Sequence, residues 1–298
     1  MKDLLRHNSI EDAVKSMAGF GIGIQSKTYI PGGDINESYL LELTDGSKCF
    51  LKRNTRKQEE FFRAEALGLM AIDSTNTIGC PKIYSHGKDG NGCFLLMEYI
   101  EPAERISDYW EVFAEELATL HKADTSRFVR EGKYGFSEDN YIGASVQTNG
   151  GSDTWVDFFR DERIRPQVEM ADRFLLTSDK KDIDKLLEKL DDILVEPEHP
   201  SLLHGDLWGG NFVTGSDGKA WLIDPATYVG CAEADIAMTE LFGGFARSFY
   251  SVYQESGLLM PGYEDRRDIY NLYHLLNHLN LFGSSYLSSV RNIVKRRI

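Results

Sequence analysis

Leu203-His204-Gly205-Asp206-Leu207-Trp208-Gly209-Gly210-Asn211, followed by Asp224-Pro225, is the stretch around which the rest of this chain can be ordered. It carries a carboxylate, a carboxamide five residues on, and a second carboxylate after a segment that reads as a hairpin. Phe212-Val213 is a short apolar run, Gly215-Ser216-Asp217-Gly218 has turn chemistry, and Ala220-Trp221-Leu222-Ile223 is a second apolar run. A turn centred between Asp217 and Gly218 brings Asn211 opposite Asp224. The carboxamide oxygen of Asn211 and the carboxylate of Asp224 then form an oxygen-rich site for a hard cation. Magnesium, which binds through one or two carboxylates plus substrate phosphates, suits it. The plainer alternative makes Asp206 and Asn211 ordinary loop residues that cap backbone amides.

Bulk properties narrow the function classes. The 298-residue chain is 42% hydrophobic and 11% aromatic, which fits one large or two medium folded domains. A formal charge of −14 argues against nucleic acid or an anionic membrane as main partner. It leaves room for a nucleotide site, because local lysines and metal ions offset the field. Cys49, Cys80, Cys93 and Cys231 are scattered without a Cys-x-x-Cys pair, so a reducing, cytoplasmic setting is expected. The start Met1-Lys2-Asp3 offers no apolar leader core. Residues 269–290 carry no charge but include Asn271, His274, Asn277, His278 and Asn280, too polar for a lipid span. They read as a buried helix broken near Gly283.

From the N-terminus, residues 1–20 predict an amphipathic helix, with Asn8 or Ser9 as a break and Gly19 as its stop. Strands are expected at 22–30, 38–43 and 48–52, with turns at Gly32-Gly33 and at Thr44-Asp45-Gly46-Ser47. Alternation puts Lys52 on the face of Phe50, opposite Leu51. Residues 57–72 read as a helix in which Glu65 shares a face with Phe61, Phe62 and Leu69. A carboxylate there is costly unless paired, and Lys52 is its natural partner; otherwise Glu65 lies at the stripe's edge and meets water. Further strands are expected at 81–84 and 92–100. The second, ending Met97-Glu98-Tyr99-Ile100 before Glu101-Pro102, resembles in position the inter-lobe hinge of kinase-like folds, where backbone groups bind adenine. The lobe boundary is therefore placed near residue 101, giving a nucleotide lobe at 1–100 and a catalytic, substrate-binding lobe at 101–298.

The remainder reads as mainly helical, with helices expected at 108–121, 180–194, 234–242, 245–254 and 266–281. Tyr134, Phe136, Trp155, Phe158 and Phe159 are read as core before sugar platform. Asp235 is expected to cap the following helix while bracing the Asp206 loop. His204 is read as a loop anchor, and His274 and His278, lacking a third ligand, as structural. Trp208 could cover a sugar face or pack beneath its own loop; the residues leave both open.

Asp206, Asn211 and Asp224 stand in the order seen in kinase catalytic loops, and the Lys52–Glu65 pair and the Gly32-Gly33 turn fall where kinases position phosphates. With His-Gly before Asp206, Trp-Gly-Gly after it and Ile-Asp-Pro at 223–225, the chain resembles the fructosamine (ketosamine) kinase family of the aminoglycoside-phosphotransferase-like group, from Ile24 onward. The resemblance implies an α+β, bilobal protein-kinase-like fold: an antiparallel sheet with a helix, then a mainly helical lobe. It implies ATP and Mg2+ as cofactors, Asp206 as catalytic base, and Asn211 and Asp224 as metal ligands. Lys52, Glu65, Gly32, Gly33 and the 97–100 backbone would serve the nucleotide. The implied acceptors are ketosamines, free or on protein lysines, phosphorylated at the 3-hydroxyl in a repair reaction. Pro225-Ala226 replaces the Phe-Gly of protein kinases, and residues 147–151 depart from the expected loop, which puts acceptor contacts in doubt. Rival readings are another kinase of the group, acting on choline, homoserine, methylthioribose or an aminoglycoside, and a catalytically silent nucleotide-binding protein.

Overall fold

The computed structural model describes residues 4–32, 35–90 and 92–298, in two compact units. One reaches to Tyr109 and takes in Phe212–Pro225; the other comprises Trp110–Asn211 and Ala226–Ile298. The division falls after Tyr109, later than the break expected near residue 101, and the hairpin joins the first unit through backbone hydrogen bonds. Leu222 N–H donates to Gly79 O at 2.8 Å, and Ile106 N–H donates to Gly218 O at 3.2 Å.

The first unit is built on a six-stranded sheet: β1 (Arg6–His7), β2 (Ile24–Ile30), β3 (Glu37–Leu43), β4 (Lys48–Asn54), β5 (Ile83–Asp89) and β6 (Gly92–Glu98). Their order is β1-β5-β6-β4-β3-β2, antiparallel throughout except for the β1–β5 pair. Helix α1 (Ile10–Ala18) is shorter than the helix expected over 1–20. Ser9 caps it, accepting from Asp12 N–H, and Gly19 ends it with φ +110°. Ile10, Ala13 and Val14 pack with Cys49, Leu51, Leu41 and Phe94 in one apolar cluster. Leu51 therefore faces α1, and the two-residue period turns Lys52 to the opposite face, toward helix α2 (Glu59–Asp73).

The hairpin pairs Phe212 with Leu222 and Thr214 with Ala220, one residue away from the register in which Asn211 faces Asp224. The cause is the loop. Gly215 and Lys219 close a three-residue connection, and Gly218 adopts φ +74°, a bulged turn that a two-residue loop does not reproduce. The Trp221 indole lies so close to Gly79 that a Cβ there would come within 2.7 Å of the ring.

The second unit is helical, with short ribbons. Helix α3 (Tyr109–His121) leads into it; Ser201–Leu203 pairs antiparallel with Tyr228–Gly230, and Asn140–Ile142 with Ser145–Gln147. The helix expected over 180–194 is two, Thr177–Glu188 and Leu190–Ile193. The uncharged stretch 269–290 takes in the helix Tyr263–Phe282 from Ile269 on, the break at Gly283 with φ +95°, and the start of the helix Leu287–Lys295. Tyr134, Phe136, Trp155, Phe158 and Phe159 are all buried, as a core reading requires. No helix among the described residues is long and apolar enough to cross a membrane.

One buried ion pair ties this unit's helices. Arg266 donates to Glu233 through Nε at 2.8 Å and Nη2 at 2.7 Å, and also to the carbonyls of Met260 and Pro261. Removing one partner strands a charge in the interior. Arg266→Ala is expected to cost about 3 kcal/mol in urea unfolding, and Arg266→Met with Glu233→Leu to recover most of it.

Candidate active site

In the first unit, Lys52 Nζ donates to Glu65 Oε1 at 2.6 Å and is also ion-paired with Asp224 Oδ1. Each strand or helix contributes one of these groups for a local reason: β4 alternation, the buried stripe of α2, and the exit of the hairpin strand Ala220–Leu222. Lys52 is buried, and burial alone would lower its pKa. The charges of Asp224 and Glu65 outweigh that and hold it above the usual lysine value. Burial pushes the Glu65 carboxyl upward, with the neighbouring Lys52 opposing. Glu65 is thus the paired residue, not one at the stripe's edge.

Asp224 has φ +53°, and Asn76 is the only other non-glycine residue with positive φ among those described. Such a backbone costs roughly 1–2 kcal/mol. The strain sits where a carboxylate must leave the strand and meet a lysine. Its side chain remains 45% exposed, so the ion pair does not close it off.

In the second unit, Asn211 Nδ2 donates to Asp206 O at 2.8 Å and to Asp206 Oδ2 at 3.1 Å. The carboxamide is fixed by its NH2, which leaves Oδ1 as its metal-competent atom. The loop before Asp206 is held from below. Asp235 Oδ2 accepts from His204 N–H at 2.7 Å, and Oδ1 from Gly205 N–H at 2.8 Å. Gly205 has φ +81°, and a Cβ there would collide with the Ala226 carbonyl. His204 Nδ1 accepts from Asp206 N–H at 3.2 Å, the anchoring role expected of it.

Asp235 lies inside the helix Ala232–Leu241, whose N-cap is Cys231. It therefore braces the loop but does not cap the helix. His121 supports it: Nε2 donates to Asp235 Oδ2 at 3.2 Å while Nδ1 accepts from Tyr253 OH at 2.6 Å. Burial works to raise the Asp235 pKa, but the bond from His121 and the donors around it bring it below the usual carboxylate value.

Sequence reasoning missed His121, Tyr253 and two amides beneath the segment after Pro225. Gln147 Nε2 donates to Ala226 O at 3.0 Å and Asn140 Nδ2 to Thr227 O at 2.7 Å, while Tyr273 OH donates to Gln147 Oε1. Buried amide–backbone bonds of this kind leave no motif.

Gly32 is exposed at φ +126°, and Gly33 lies outside the described residues. Met97 is buried in β6; Glu98 ends the strand; Tyr99 and Ile100 leave the ladder half-buried. Trp208 is exposed, edge-on to Phe242 at 6.4 Å, with its ring close against Gly210. His274 is buried and pushed down to about 3, hence neutral at physiological pH, and no group of three or more His, Cys, Asp or Glu converges among the described residues.

A sequence profile of the family described as fructosamine kinase matches residues 6–298. The chain belongs to the fructosamine kinase family. It is 38% identical over 290 residues to a probable ketoamine kinase of Synechocystis, covering 97% of this chain and 95% of that one. It is 38% identical over 271 residues to a chloroplastic protein-ribulosamine 3-kinase of Oryza sativa subsp. indica, 89% of this chain and 76% of that protein. A crystal structure described as a fructosamine-3-kinase from Haemophilus somnus superposes with a TM-score of 0.84 at 31% identity, covering 97% of both chains. The α+β, kinase-like fold expected from the sequence is the one this fructosamine kinase relative and the aminoglycoside phosphotransferases share.

The Lys52 arrangement makes a direct prediction. In the double variant Glu65→Gln with Asp224→Asn, burial acts alone and the Lys52 pKa falls below the ordinary lysine value near 10.4. An NMR titration of the Lys52 Nζ resonance reads this; a value still above it would mean that the two carboxylates are not its source.

Proposed function

We propose that this chain transfers the γ-phosphoryl group of ATP to the 3-hydroxyl of a ketosamine. The reading is carried by Lys52 paired with Glu65 and Asp224 in one unit, and by Asp206 fixed with Asn211 in the other, in a chain whose relatives are ketoamine and ribulosamine kinases. Asp206 orients the acceptor hydroxyl and takes its proton as the oxygen–phosphorus bond forms and the β–γ bridge breaks, with ADP leaving. Asn211 Oδ1 and the Asp224 carboxylate are hard oxygen donors that would hold magnesium. When bound, the metal neutralises phosphate charge.

Lys52 contacts phosphate oxygens in exchange for part of its bond to Asp224, while Glu65 keeps the ammonium in place. The segment at Gly32 covers the phosphates, and backbone groups of residues 97–100 receive the base. Because the transition state of phosphoryl transfer is loose, most of the catalysis is positioning and charge neutralisation. A 3-phosphorylated ketosamine is unstable, so the reaction serves removal of sugars from amines, including protein lysines. Free, buried Cys49, Cys80, Cys93 and Cys231 support a reducing compartment, which we take to be the cytoplasm.

ATP consumption with magnesium should be measured against fructosyl-lysine, ribulosyl-lysine, choline and an aminoglycoside. Turnover is expected on a ketosamine. Asp206→Asn should lose about 10³-fold in kcat, while affinity for a non-hydrolysable ATP analogue stays within about threefold. Turnover only on choline or the aminoglycoside would overturn the acceptor assignment. Loss of nucleotide binding in Asp206→Asn would make that residue structural.

A further inference from the structure

The second unit carries a row of aromatic rings that starts in the Asp206 loop and that the phosphoryl-transfer chemistry does not use. Trp208 meets Phe242 edge-on at 6.4 Å; Phe242 stacks on His278 at 4.8 Å and 20°; His278 meets Phe282 at 5.3 Å and Tyr286 at 5.1 Å. The rings come from the Asp206 loop, the C-cap of the Ala232–Leu241 helix, the last turns of Tyr263–Phe282 and the short turn after Gly283. A folded chain ordinarily turns such rings inward, yet Trp208 is 40%, Phe242 42% and Phe282 56% exposed.

The backbone beside the row is bare. A Cβ on Gly243 would meet nothing within 4 Å, and one on Gly209 nothing nearer than the Gly243 carbonyl at 3.9 Å. Among the described residues, no side-chain atom therefore lies within 4 Å of the positions a Cβ would take at these two glycines. The row is also uncharged: burial lowers the pKa of His278, so this ring stays neutral at physiological pH.

We infer that this row is the subsite for the carrier amine of the acceptor, taking the alkylammonium arm and adjoining peptide of a glycated lysine. The inference rests on the ketosamine-kinase reading and goes beyond it to the part of the substrate that does not react. In a ketosamine, the nitrogen is joined to C1, two carbons from the C3 hydroxyl that Asp206 engages. The carrier therefore leaves the sugar close to the reacting oxygen, and Trp208 lies two residues after Asp206. The nitrogen is a secondary ammonium, which aromatic faces attract and a charged histidine would repel. Beyond it, the methylenes of a lysine arm match an apolar ledge, and each ring they cover loses contact with water.

The test compares two acceptors with the same sugar: 1-amino-1-deoxyfructose, which has no carrier, and Nε-fructosyl-lysine within a hippuryl peptide. The quantity read is the ratio of kcat/KM for the peptide to kcat/KM for the carrier-free sugar. Wild type is expected to favour the peptide. In Phe282→Ala the ratio should fall about tenfold, through KM, as loss of one partly buried ring implies. Phe282→Tyr should recover most of it, and Phe20→Ala, an exposed ring in the other unit, should leave the ratio unchanged. Equal wild-type use of both acceptors, or an unchanged ratio in Phe282→Ala, would overturn the inference while leaving the ketosamine-kinase reading standing. So would a wild-type dimer by light scattering that Phe282→Ala converts to monomer, because a second copy would then be the occupant. Turnover of neither acceptor would remove the reading itself and the inference with it.

Discussion

Burial of the Lys52 ammonium is the constraint on which the charged centre of the first unit depends. A lysine on the covered face of a central strand, without a counter-charge, would lose several kcal/mol to desolvation, roughly, or give up its proton. Glu65 answers from the buried stripe of α2, and Asp224 answers from the end of the hairpin. The pairing constrains three elements at once: the face β4 presents, the rotation of α2 about its axis, and the backbone at Asp224, which adopts a left-handed conformation. A charge satisfied twice by carboxylates can trade one of them for phosphate oxygens without becoming unpaired.

The Asp206 loop of the second unit, proposed above to be catalytic, meets the opposite requirement. Asp206 is half-buried where Lys52 is buried, and the rigidity of its loop comes from behind. Asp235 supplies it by taking the His204 and Gly205 amides, and His121 and Tyr253 hold Asp235 in turn. This chain of bonds ends on a phenol hydroxyl deep in the helical core. A buried carboxylate with three donors is ordered more strongly than any single loop contact could manage.

Much of this was legible in the residues because it follows from period and charge. The alternation Cys49-Phe50-Leu51-Lys52 and the helical spacing around Glu65 are local facts, and they were sufficient to predict a pair that is 13 residues apart in sequence. The loop His204–Asn211 was legible in another way, through its resemblance to the fructosamine kinase family. What was misread depends on single backbone conformations. Gly218 in a left-handed turn moves the hairpin register by one residue, and no apolar pattern records that. Asp235 looks like a helix cap in sequence, but the helix starts earlier, at Ala232. Gln147, Asn140 and His121 act through buried bonds to backbone or to one partner. Their identity becomes meaningful only once the fold brings those partners near.

The position of the transferred phosphate is the most direct test of the whole account. The product of ATP, magnesium and fructosyl-lysine should be followed by phosphorus NMR with correlation to the sugar protons. The account predicts one new phosphate resonance, coupled to the proton on C3. A phosphate attached at another carbon would contradict the acceptor geometry assigned to Asp206. Release of inorganic phosphate with no sugar phosphate would contradict phosphoryl transfer to a ketosamine altogether.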